Sequence, residues 1–128
     1  MAIKAPTRKR AVRAAPFGAP HVFVLVVIEG PDLEASFKVN APEMVLGRGE
    51  RTSLRLHDDE ISKRHCTLRS DAGQCHIVDE GSLNGTVVNG RELRPAVSLR
   101  LRHLDEIHIG ITRLLFLTGK FASAPAEG

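Results

Sequence analysis

Apolar residues recur along this chain in short runs, each closed by turn-forming residues before the next begins. The run His21 to Glu29 is apolar and rich in β-branched residues, which predicts a buried strand. Gly30-Pro31-Asp32 turns the chain into a strand over Ser36 to Val39, and Asn40-Ala41-Pro42 turns it again. Met44 to Leu46 then leads into Gly47-Arg48. Leu54 and Leu56 alternate with Arg55 and His57, the period of a strand with one wet face. His65 to Arg69 and Gln74 to Val78 read as a hairpin around Asp71-Ala72-Gly73. Thr86 to Val88 and Glu92-Leu93 flank Asn89-Gly90, the strongest short hairpin-turn signal. Val97 to Leu101, Glu106 to Ile109 and Thr112 to Leu117 complete the series, with Gly110 at a turn or bulge. The pattern predicts an all-β sandwich or barrel of about eleven short strands and no helix.

Composition changes this picture in two places. At 128 residues with 42% apolar content there is material for one domain with a real core, but Trp and Tyr are absent and Phe occurs five times. Aliphatic side chains must therefore fill the interior, and the shortage of aromatic faces argues against a base-stacking nucleic-acid platform. The formal charge of +3 is unevenly placed. Residues 1–20 hold Lys4, Arg8, Lys9, Arg10 and Arg13 without an acid, so the other residues carry 13 bases against 15 acids. With three prolines and several alanines, 1–20 reads as a basic flexible tail, 21–119 as the domain and 120–128 as a flexible C-terminal tail.

Cys66 and Cys75 make neither a disulfide framework nor a metal site by count. Pairing Leu68 with Ile77 across the hairpin sets Ser70 opposite Cys75 and leaves Cys66 about 13 Å away along the ladder, too far for a bridge. Reduced thiols fit a cytoplasmic setting. The apolar run Val22 to Ile28 is short for a signal peptide and ends in Glu29-Gly30-Pro31-Asp32 without a small-residue cleavage site. No stretch approaches a membrane span, and neither a membrane nor a cofactor is expected as a partner.

Candidate chemistry sits on three loops. Arg48 follows a glycine that permits a sharp turn, and reads either as a solvated surface arginine or as a bidentate clamp for a phosphate. Ser62-Lys63-Arg64-His65 brings a hydroxyl and two cations onto one loop, an anion-binding set unless Ser62 merely bonds a nearby amide. His65 is better read as an imidazole pinning one loop to the next than as a base or a ligand. Asn84-Gly85-Thr86 reads first as a turn, yet the Asn84 carboxamide can donate to and accept from an extended peptide backbone. Asn89-Gly90 is a turn and nothing more. Ser62 and His65 lack a third orienting group for nucleophilic catalysis, and Cys66, Cys75 and His76 lack paired metal-ligand spacing. Neither an enzyme nor a metal site is indicated.

Taken together, Gly47-Arg48, Ser62-Lys63-Arg64-His65, Asn84-Gly85-Thr86 and Asn89-Gly90 stand in the order found in forkhead-associated (FHA) domains, and residues 21–119 resemble that family. The resemblance implies an eleven-stranded, two-sheet β-sandwich of the FHA/SMAD-like kind that binds phosphothreonine peptides through loops at one end. It implies Arg48 and Ser62 as main phosphate ligands, Lys63 as a further one, and Asn84 as the side chain holding the peptide backbone. Gly47, His65, Gly85, Thr86, Asn89 and Gly90 match positions that shape the loops. Several members carry Ser or Thr directly before the Asn; here that binding position is Leu83, which has only its backbone amide to donate.

The implied function is a phosphothreonine-dependent interaction module acting with a Ser/Thr protein kinase. Its competitors are binding of nucleic acid or an acidic partner through the basic tail, and a phosphorylation-independent FHA scaffold. Thr7, beside Arg8-Lys9-Arg10, is a candidate regulatory phosphosite that would let the tail fold back into the domain's own pocket. Asp58, Asp59 and Glu60 would repel an acidic residue after the phosphothreonine, so neutral or basic residues are expected there. Oligomeric state is not legible in the sequence.

Overall fold

The computed structural model describes residues 21–71 and 73–120, which form eleven strands and no helix. In chain order these are β1 (His21–Glu29), β2 (Ser36–Lys38), β3 (Glu43–Gly47), β4 (Leu54–Arg55), β5 (Cys66–Asp71) and β6 (Gln74–Asp79). β7 (Val87–Val88), β8 (Arg91–Glu92), β9 (Leu99–Leu101), β10 (Glu106–Ile109) and β11 (Thr112–Lys120) follow. One sheet has the order β2-β1-β11-β10-β7-β8, the other β4-β3-β5-β6-β9. Residues 1–20, including Thr7, and 121–128 lie outside the described residues, as does Ala72. Among the described residues no helix is long and apolar enough to cross a membrane.

The inner faces meet over an aliphatic core. Leu25, Leu46, Leu68, Ile77, Ile107 and Leu114 are fully buried, and Phe23 stacks on Phe116 with ring centroids 5.7 Å apart. In β1 the period of two is strict. Phe23, Leu25 and Val27 face the core, while Val22, Val24 and Val26 are only half-buried. The uninterrupted apolar run suggested burial on both faces; no described element covers the outer one. β1 and β11 form the longest pairing, from His21↔Lys120 to Val27↔Leu114, with a bulge before Glu29.

The hairpin register is the one required to keep Leu68 and Ile77 inward: they pair, and Ser70 lies opposite Cys75. Both cysteines are free and buried. Asn89 (φ 50°) and Gly90 (φ 82°) form a two-residue turn joining Val88 to Arg91, the left-handed pair that hairpin twist favours.

Three segments differ from the expected strands. β4 pairs in parallel with β3 and Leu56 still donates its N–H to the Gly47 carbonyl, but His57 is held by Asp32, so the chain leaves the ladder there. Val97 and Ser98 lie in the exposed connection before β9. β11 continues past Leu117 to Lys120, because β1 offers a partner for each residue to His21.

Candidate functional site

The register of the five-stranded sheet brings the loops together. Leu46 at the end of β3, Cys66 at the start of β5 and Asp79 at the end of β6 are consecutive partners across the sheet. The segments carrying Arg48, Ser62 and Asn84 therefore leave the sandwich from one row. Gly47, Arg48, Ser62, Lys63, His65, Leu83, Asn84, Gly85 and Thr86 belong to this loop end. Asn89 and Gly90 do not, and Asn89 bonds instead to Asp105 and Glu106.

Backbone contacts stitch the first two loops. Arg48 N–H donates to Ser62 O and Gly49 N–H to Lys63 O, both at 3.2 Å, and His65 N–H donates to Leu46 O at 2.9 Å. This approach explains Gly47. Its backbone φ is not positive, so the residue is there for space rather than for a sharp turn: a Cβ would lie 2.1 Å from the Lys63 carbonyl oxygen.

His65 fastens the third loop. Its ring is fully buried; Nδ1 accepts from Ser62 N–H at 3.0 Å and Nε2 donates to Gly85 O at 2.8 Å. The amide is donor-only and the carbonyl acceptor-only, which fixes the neutral Nε2–H tautomer. The same imidazole thus holds the backbone of Ser62 against that of Gly85.

Asp79 organises the loop that presents Asn84, a role the sequence reading did not assign. Its Oδ1 accepts from Gly81 N–H and Ser82 N–H at 2.8 Å, and its Oδ2 from Ser82 Oγ at 2.7 Å and Thr86 Oγ1 at 2.6 Å. Ser82 Oγ in turn accepts from Gly85 N–H. Burial alone would raise the Asp79 pKa. The bonds from Thr86, Ser82 and Gly81 outweigh it and hold the carboxyl below its ordinary value. The bond from Asp79 to the amide two residues on is the Asx-turn signal that Asp79-Glu80-Gly81 carries in the sequence.

Several groups on this end remain available to a ligand. Leu83 N–H donates to Ser62 Oγ at 3.0 Å, so the Ser62 hydroxyl proton is left to donate outward. The Leu83 amide is thereby committed to Ser62, while its side chain is 88% exposed. Asn84 Nδ2 donates to Glu60 O at 2.9 Å, and its other N–H and its carbonyl oxygen have no partner among the described residues. Arg48 and Lys63 are exposed, and neither side-chain cation bonds to any described residue.

Of the three acids before Ile61, Asp58 faces inward, which corrects its reading as a repelling surface charge. It is 1% exposed, and its carboxylate accepts from Glu60 N–H, Ile111 N–H and Thr112 Oγ1. Asp59 and Glu60 are exposed. Among the described residues no group of three His, Cys, Asp or Glu could hold a metal ion.

With this geometry in view, known proteins supply the family. The FHA domain profile matches residues 44–110, more than half of the chain. The chain belongs to the FHA domain family. It is 41% identical over 96 residues to the glycogen accumulation regulator GarA of Mycolicibacterium smegmatis, a match covering 75% of this chain and 59% of that protein. It is 43% identical over 104 residues to an oxoglutarate dehydrogenase inhibitor of Corynebacterium glutamicum, covering 81% of this chain and 67% of the relative. A solved FHA domain studied for phosphothreonine-dependent interactions superposes with a TM-score of 0.68 at 25% identity, over 75% of this chain and 95% of the other. This FHA domain thus spans about three-fifths of the Mycolicibacterium regulator, and its named relatives are a regulator and an inhibitor.

Proposed function

We propose that this FHA domain binds a phosphothreonine-containing segment of a partner protein, using Arg48, Ser62 and Lys63 for the phosphate and Asn84 for the adjoining backbone. The observation that carries the reading is the pair of uncommitted cations, Arg48 and Lys63, on loops stitched together at Ser62. Phosphothreonine brings nearly two negative charges and three acceptor oxygens. Arginine-bearing loops that meet such a group are a recurring recognition mode. Charge-assisted hydrogen bonds contribute about 1.5–3 kcal/mol each. Two or three supply much of the ~8 kcal/mol of a micromolar complex. A neutral threonine leaves both cations without a counter-charge, so the domain discriminates the modified state from the unmodified one.

In this reading the site holds and orients, with His65 engaged by Ser62 N–H and Gly85 O and Ser62 Oγ by Leu83 N–H, and regulation follows from docking. Ser/Thr kinase signalling supplies the phosphate in this reading, and the relatives named for regulation and inhibition support a partner whose activity docking alters. Buried, reduced thiols support a cytoplasmic setting. Leu83 offers an apolar rim where other members carry a hydroxyl, so phosphate affinity rests on Arg48, Ser62 and Lys63. An oriented phosphothreonine-peptide library tests the reading: wild type enriches phosphopeptides and Arg48→Ala does not. Equal enrichment by both would refute it.

A further inference from the structure

The flank where the two sheets stay open carries a second charged surface. β8 is the edge of the six-stranded sheet and β9 the edge of the five-stranded one, and the segment between them crosses from sheet to sheet. A groove of about 350 Å3 lies there, lined by Arg91, Arg94, Arg100 and Arg102 together with Val97 and Leu99. All four arginines are exposed, and none of their guanidinium groups bonds to a described residue. Elsewhere on the sheets Arg69 pairs with Glu43, and Arg113 with Glu29 and Glu106. Of the two acids at the groove, only Asp105 is held by hydrogen bonds among the described residues. Asp105 accepts from Asn89 Nδ2 and Arg102 N–H, and the Glu92 carboxylate lies against Gly85.

Lone arginines on edge strands can serve only to deter sheet-to-sheet aggregation. Two features here go further. Val97 is 53% exposed and Leu99 38% exposed among the four cations, which gives the groove an apolar floor. The outer edges of β8 and β9 also leave backbone groups for an added strand. A nucleic acid fits less well, because the lining has no aromatic side chain for base stacking.

We propose that this flank docks an extended, acidic segment of a partner protein, with apolar side chains on Val97 and Leu99 and carboxylates on the arginines. The surface is separate from the phosphate-binding loops and does not rest on the phosphothreonine reading. It is linked to them through Leu93 N–H on Thr86 O and Ala96 N–H on Asp79 O. One partner can therefore span both surfaces.

The test is an amide-shift titration of the full chain with a short unphosphorylated peptide of Glu and Asp interrupted by one Val and one Leu. Shifts confined to residues 91–102 are expected, with binding that weakens as salt is raised. Arg94→Glu/Arg100→Glu is expected to weaken binding about tenfold or more while keeping a dispersed folded spectrum. The proposal is overturned by the absence of shifts at 91–102, by shifts centred on Arg48, Ser62 and Asn84, or by undiminished binding of the double variant. It is equally overturned if a single-stranded oligonucleotide binds the flank as tightly as the peptide, or if the double variant abolishes a concentration-dependent dimer.

Discussion

At Gly47 the chain has no room for a side chain. The atom that a methyl would strike is the Lys63 carbonyl oxygen, 2.1 Å away, and that carbonyl is itself held by Gly49 N–H. Neither backbone can yield without parting the loops that carry Arg48 and Ser62. Gly47→Ala is expected to cost about 3 kcal/mol in urea unfolding, and an unchanged midpoint would show that this approach is not required. The sequence marked Gly47 as important for a turn; only the packed loops reveal that the demand is for space. Arg48 and Lys63 stood out in the sequence as candidate anion ligands because two cations and a hydroxyl gather on loops, and the backbone bonds between those loops bring both residues to one end of the sandwich. Asp58 was misread, since acidic runs are usually solvated, and its burial depends on Ile111 and Thr112, more than fifty residues away in the chain.

Among the elements, the loop between β6 and β7 owes its shape to one carboxylate. Asp79 has a folded pKa below its unfolded one, so its stabilising effect is complete above the ordinary carboxylate range and is lost as pH falls through the depressed value. Asp79→Asn is therefore expected to lower stability at neutral pH and to flatten the acid limb of the stability–pH curve. Parallel curves for the two proteins would contradict this. Strand positions were readable wherever apolar periodicity met a turn signal, as in β1, β10 and the β5–β6 hairpin, whose register follows from keeping Leu68 and Ile77 inward. The ends of β4 and β9 were not. Each is a short edge strand whose limits are set by contacts to other segments, His57 to Asp32 in one case and Ala96 to Asp79 in the other.

Across the whole molecule, the two sheets enclose Cys66 and Cys75 on the inner face. Burial raises the pKa of both thiols, and Cys75 is pushed up to about 12. In native buffer both are expected to resist an aromatic disulfide reagent, with labelling rates that follow opening of the sandwich and rise in parallel with urea. Rapid labelling of either at zero denaturant would mean that the sheets part locally. The same sandwich converts distant stretches of sequence into one rim, because Leu46, Cys66 and Asp79 stand side by side where the loops depart. That convergence is the basis of the functional account. Calorimetric titration of one peptide in phosphothreonine and unmodified threonine forms, against wild type and Arg48→Ala, tests it most directly. The account predicts micromolar binding of the phosphorylated form to wild type, none measurable for the unmodified form, and at least about a tenfold loss in Arg48→Ala. Equal affinity for the two peptides, or unchanged affinity in the variant, would contradict it.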